Sequence, residues 1–448
     1  MQRVSVKGIA IGLGSLLLLP ALCLAGGQHQ DDFDHPAIQY LQKTPNDPIS
    51  RLQKQLDSGQ LHLTYNARNG YLSSVLAQLK IPVSSQMLVF SKTSFQRELI
   101  TPHAPRALYF NADTYVGWVQ DGSVVEVATQ DPQLGAVFYT LDQTATGKPK
   151  FKRQTYECLQ CHSGGMTSGV PGYMMRSAYT HIDGQPEFRA GTYLTTDQSP
   201  LNERWGGWYV TGKHGTMRHM GNVFAQGEEN VILDREKGAN RTSLKGLVDT
   251  SPYIVPTSDI VALMVAEHQT GVQTLLTKAD YYSRMALYDE ARLNVELQRP
   301  ANYHSDSTRS RIRSVCEPLL KAMLFVQEAP LTDTVVGTSG YAEQFAEQGP
   351  FDRQHRSLHQ LDLHHRLLRY PCSYLIYSEA FNALPTEART YLYQRLREIL
   401  TANDPGKDYA HLSPADRKAI LEILIDTKPD FAAFDKAAAA ENTPPKSG

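Results

Sequence analysis

The apolar residues change their spacing once along this chain, and that change limits what it can fold into. Before residue 150 they come in short runs: Met87 to Ser91, Ala107 to Phe110, Tyr115 to Val119, Val124 to Ala128 and Ala136 to Leu141. Runs of this length predict strands. From Ser258 onward the spacing follows the turn of a helix. Ile260 to Met285, Arg309 to Val326, Leu358 to Leu368, Glu387 to Leu400 and Pro414 to Ile425 are each expected to be helical. A short amphipathic helix is expected over Ile49 to Leu56. The fold class expected is α+β, with a β-rich N-terminal region, an irregular middle segment and a mostly α-helical C-terminal half. The expected divisions are 26–150, 151–235 and 236–430, with a flexible tail over 431–448.

The N-terminus has the order of a secretory signal. Arg3 and Lys7 precede an apolar run from Ile9 to Leu22, and small residues come next. Cleavage after Ala25 is expected, giving an exported, periplasmic product. Cys23 follows Leu22, where lipoprotein processing needs a small side chain, so lipidation is disfavoured. No later stretch approaches a transmembrane length, so no membrane anchor is expected after cleavage. Lys and Arg number 44 against 46 Asp and Glu. With no basic stripe or nucleic-acid module, DNA and RNA binding are excluded.

The cysteines carry the sharpest chemical signal. The chain has five, and two of them stand in Cys158-Leu159-Gln160-Cys161-His162. Two thiols at this spacing can form thioethers with the two vinyl groups of one haem, and the adjacent imidazole can then reach the iron. A zinc site would want a second Cys or His pair at ligand spacing, and a plain redox pair normally opens a helix beside a strand. The motif resembles that of c-type cytochromes. The resemblance implies one covalent haem c, with His162 as iron ligand. Arg204 to Asn222 and Arg369 to Phe381 also resemble segments of exported cytochrome-c-domain proteins, a likeness that implies no activity. The chain departs from a small helical cytochrome c. Here a long region precedes the motif, and the stretch after it is rich in Gly and Pro (Ser163 to Gly172), then alternates toward a hairpin-like turn at Asp183-Gly184.

Function turns on the other axial position of the iron. A second Met or His suits single-electron transfer, whereas an open position admits peroxide or a gas. The densest candidates lie in Lys213 to Met220, ranked His214, then Met217 and His219, then Met220. Met174 and Met175 are outsiders that the Gly-Pro loop could bring over the ring. Trp205, Trp208 and Tyr209 could cover a macrocycle, and Arg204 and Arg218 could bind its propionates, or all five could belong to a buried hairpin with exposed arginines. With an open site, Arg218 or His219 could polarise bound peroxide.

Two other groups have alternative readings. His355, His359, His364 and His365, with Asp362, could bind a metal if helical, but a solvated amphipathic helix explains the same letters, as a packed helix explains His268. Cys316 and Cys372 could be bridged, which contributes about 4 kcal/mol by loop closure, or remain buried thiols. Three functions are compatible with the sequence. They are a periplasmic electron-transfer cytochrome, a haem-dependent peroxidase or oxygenase, and a haem-based redox or gas sensor. The partner implied is a redox protein or a small-molecule oxidant.

Overall fold

A computed structural model describes residues 33, 35–227 and 231–441. The expected signal segment lies outside the described residues. The fold is α+β, with strands concentrated in the first half and helices in the second.

Seven strands form one sheet: β1 (Met87–Val89), β2 (Arg106–Phe110), β3 (Thr114–Trp118), β4 (Val124–Asp131), β5 (Gly135–Asp142), β6 (Phe151–Gln154) and β9 (Trp208–Tyr209), in the order β6-β5-β4-β3-β2-β1-β9. All neighbours are antiparallel. β7 (Arg176–Ala178) and β8 (Thr192–Leu194) make a separate hairpin. Because side chains alternate along a strand, register sorts the sheet into two faces. One carries Leu88, Tyr109, Val116, Val125, Val127, Tyr139 and Leu141, and packs on Ile38, Tyr40, Ile49 and Leu52. Helix α1 (Pro48–Asp57) is fixed there by its cap: Asp47 accepts from Ser50 N, and the Tyr139 hydroxyl donates to the same carboxylate at 2.7 Å.

The other face follows the pairs Val89–Arg106, Leu108–Gly117, Gly117–Glu126, Glu126–Thr140 and Ala128–Phe138. Helix α3 (Ile260–Glu296) covers part of it. Gln269 and Gln273 of α3 reach the Tyr115 hydroxyl at 2.8 and 2.7 Å. α3 begins where Asp259 accepts from Val261 N and Ala262 N, and it is buried on nearly all sides. Helices α4 (Asp306–Met323), α5 (Thr386–Thr401), α6 (Pro414–Thr427) and α7 (Pro429–Glu441) pack beyond it around one apolar core. No helix among the described residues is long and apolar enough to cross a membrane.

Three expectations need correction. Leu358 to Leu368 is not helical: Asp352 and Asp362 capture nearby backbone N–H groups, and His355 and Leu363 adopt positive φ. Side chains that satisfy their own backbone in this way compete with a helix. The tail expected from 431 is helical through Glu441, because Phe431 is fully buried against Tyr393 and the Tyr393 hydroxyl donates to Asp430 at 2.6 Å. The sheet also crosses the boundary expected at 150, taking in β6 and, from much later in the chain, β9.

Two glycines test the packing of α3 on the sheet. A methyl at Gly135 would strike Thr277 of α3, and its φ of +69° already disfavours a side chain. A methyl at Gly271, within α3, meets only Thr196 at 3.5 Å. Gly135→Ala should lose about 1–3 kcal/mol of stability by overpacking, while Gly271→Ala should gain about 0.5–1 kcal/mol from helix propensity. Urea unfolding of the two variants should therefore shift in opposite directions.

Candidate functional site

The motif follows β6 directly. Helix α2 (Leu159–His162) is a single turn, with Cys158 as its N-cap residue and His162 at its end. His162 N and Cys161 N both bond back to Cys158 O, at 3.0 and 3.2 Å, so one tight turn carries both thiols and the imidazole. Leu159 is buried in the sheet core and anchors the turn, while Cys161 is exposed and Cys158 half-buried. Burial pushes the Cys158 thiol up to about 12, with Glu126 and Glu157 adding to the effect, so it stands as a protonated thiol.

The imidazole of His162 is held at two places. Its ring lies 4.9 Å from the Phe138 ring of β5, and Nδ1 is 3.0 Å from Gly172 O. A carbonyl can only accept, so Nδ1 carries the proton and Nε2 keeps its lone pair. That is the tautomer a metal-ligating histidine needs when a backbone carbonyl orients it. Burial is the main cause that lowers the His162 pKa, which keeps the ring neutral.

After the turn the chain crosses the same sheet face toward β9. Gly172 N donates to His162 O, the Tyr173 ring packs at a tilt 4.9 Å from that of Tyr115 of β3, and Trp208 Nε1 donates to Arg176 O at 2.8 Å. The surroundings of the motif fit a large apolar disc. Gly164 and Gly165 face open space, and Tyr156, Met166, Phe188 and Leu194 are exposed apolar side chains. Arg176 lies over the Phe188 ring at 4.3 Å and within electrostatic reach of Cys161. One exposed and one half-buried thiol, with an imidazole nitrogen that has no hydrogen-bond partner among the described residues, form a donor set that could hold a haem c.

The four ranked axial candidates are not brought to this site. His214 is buried, with Nδ1 donating to Met217 O at 2.7 Å and Nε2 accepting from Asn240 N at 3.0 Å, so both ring nitrogens are engaged. His219 Nδ1 accepts from Gly221 N, and its ring packs on Trp205 and His214. Met217 packs on the helical core, and the Met220 thioether accepts from the Ser177 hydroxyl. His162 touches Phe138 and Gly172, and neither contact is shared with these four. This segment follows β9, at the opposite edge of the sheet from β6. Met175 is buried in the core, whereas Met174 is only half-buried in the crossing segment.

The aromatic residues of 204–218 are core residues, as the hairpin reading expects, but they lie on and beside β9, an edge strand paired with β1, rather than in a hairpin, and the arginines lie at the surface with one exception. Tyr209 donates to Pro102 O, and Arg218 pairs with Glu236 at the surface. Arg204 is the exception: it is buried, donating to Glu267 at 2.9 Å and to Asp197 O. Beside it His268 lies 3.5 Å from Asp197 and 2.8 Å from the Ser373 hydroxyl, stacked on Phe325. The two stretches singled out by resemblance, 204–222 and 369–381, thus meet around α3 in a buried polar cluster. Burial lifts Glu267 to about 7 despite Arg204, and lifts Glu328 to about 8.

The remaining groups separate. His359 is buried between Phe345 and Tyr374, and burial lowers it to about 4, while His364 and His365 are exposed. Among the described residues no group of three His, Cys, Asp or Glu is arranged to hold a metal ion. Cys316 and Cys372 are separate buried thiols. Comparison with family models, curated proteins and solved structures gives no match.

The buried histidines set a pH dependence. Burial, with His214 and Arg218 adding to it, lowers His219 from 6.5 to about 3. The unfolded chain takes up a proton that the folded chain refuses, so this contribution is complete above pH 6.5 and fades as pH falls toward 3. At pH 5 the loss is on the order of 2 kcal/mol. The raised carboxyls of Glu267 and Glu328 act in the opposite sense, so the difference between wild type and His219→Gln isolates the histidine. Urea unfolding at pH 7 and pH 5 should show wild type losing more stability than the variant, and equal losses would contradict this account.

Proposed function

We propose that the chain is an exported monohaem c-type cytochrome that transfers electrons in the periplasm. Cys158 and Cys161 would hold one haem c covalently, and His162 would ligate its iron. The observation that carries the reading is the His162 imidazole, which has Nδ1 tied to Gly172 O and, among the described residues, no hydrogen-bond partner at Nε2, on the same turn as both thiols. Bound there, the haem supplies a centre for one-electron exchange.

This chain's own residues have three tasks in that reading. Leu159 and the Cys158 carbonyl hold the turn, Gly172 O fixes the ring and its proton, and Phe138 limits the ring's rotation. The exposure of Cys161 leaves the attachment edge near the surface, where a redox partner can approach. A peroxidase reading would use Arg218 or His219 as proton carriers, and both are engaged elsewhere, which favours electron transfer. The half-buried Met174 and the exposed Met166 are the thioethers left in the motif's own loop.

The full chain made in a host with c-type maturation should show a Soret band that survives denaturation and a mass increased by one macrocycle. Cys158→Ser combined with Cys161→Ser should abolish both. Single replacement of His214, Met217, His219 or Met220 should leave the reduced spectrum unchanged, whereas loss of an axial ligand would alter it. Wild-type protein with no bound macrocycle would overturn the reading.

A further inference from the structure

Away from the motif, a cavity of about 340 Å³ opens where Phe110 of β2, Gln269 of α3 and the short helix Tyr341–Ala346 meet. That volume is at the small end of ligand pockets and suits a compound of one ring. Four aromatic side chains wall it. Tyr341 stacks on Phe345 at 5.8 Å and lies 5.6 Å from Phe110, and the Tyr374 ring meets Phe345 edge-on at 5.1 Å. Rings arranged in this way attract a further ring, offset or edge-on, by more than the area they bury.

The polar groups of the wall differ in what they have left to offer. The Tyr374 hydroxyl donates to Gln269 at 2.7 Å, and the Gln269 amide donates to Asn111 O and to the Tyr115 hydroxyl, so both side chains are satisfied within the protein. Tyr341 is 3% exposed, yet its hydroxyl has no hydrogen-bond partner among the described residues. A buried hydroxyl left unpaired costs free energy, and the cavity that Tyr341 lines is where the missing bond can be made. Gln344, at the rim, accepts from Ser84 Oγ at 2.6 Å, which leaves its amide N–H groups to donate. The lining carries one cation, Lys80, and one anion, Asp113, so it has no net charge to draw an ion in. A charged ligand would also lose its water against a wall of rings.

We propose that this cavity is a binding site for a small uncharged phenol, with the ligand ring held among Phe110, Tyr341, Phe345 and Tyr374 and its hydroxyl bonded to that of Tyr341. The site is separate from Cys158, Cys161 and His162, and the proposal does not rest on the haem reading.

The test is calorimetric titration of the purified full chain with para-cresol and with toluene, which has the same ring and methyl group but no hydroxyl. Para-cresol should bind saturably, and roughly 5-fold more tightly than toluene, as one hydrogen bond provides. Tyr341→Phe should remove the preference and leave toluene binding in place, which a merely structural role for the hydroxyl does not produce. Ala112→Leu, which enlarges a side chain of the lining, should abolish binding of both compounds in protein whose urea midpoint shows it to be folded. If Ala112→Leu does not fold, Tyr341→Phe carries the test alone. No saturable binding of para-cresol, equal binding of the two compounds, a preference that survives Tyr341→Phe, or binding that persists in folded Ala112→Leu would each overturn the proposal.

Discussion

The hydrogen bond from His162 Nδ1 to Gly172 O decides what the motif can do. An imidazole on a single exposed turn would otherwise sample several rotamers and both tautomers. Here one carbonyl selects the tautomer and the direction of the free nitrogen together. The carbonyl is itself fixed, because Gly172 N returns a bond to His162 O and the next residue, Tyr173, is held by Thr274 of α3 and packs at a tilt against Tyr115 of the sheet. The local chemistry thus depends on the packing of the long helix against a seven-stranded sheet.

That dependence gives a reason for a chain larger than a small electron carrier. The motif does not lie in a helical bundle of its own. It is a turn laid on a sheet face, and the chain on either side of it crosses from one sheet edge to the other between β6 and β9. The sheet supplies an apolar anchor under Leu159 and an aromatic wall at Phe138. The helical half holds α3 in place through a core that runs to Phe431.

Much of this was legible in the sequence, for identifiable reasons. The five strand runs before residue 150 and the helices at 309, 387 and 414 have strong periodicity and appear within a few residues of their expected bounds, while the helix from Ile260 runs well past its expected end at Met285, to Glu296. β9 is only two residues long and gives no periodic signal. The expected helix at 358–368 failed because apolar spacing does not register that Asp352 and Asp362 bond to their own backbone. At the candidate site, residue type alone put His214 and His219 forward, since a sequence does not show that Asn240 N and Gly221 N already occupy ring nitrogens.

The central claim is that His162, by its Nε2, is the histidine on the iron. Paramagnetic NMR of ferric holoprotein with 15N-labelled histidine reads this directly. The ring shifted by contact with the iron should vanish in His162→Ala and persist in His214→Gln and His219→Gln, with its Nδ1 proton protected from exchange by Gly172 O. A shifted ring that survives His162→Ala, or that disappears with His214 or His219, would contradict the account.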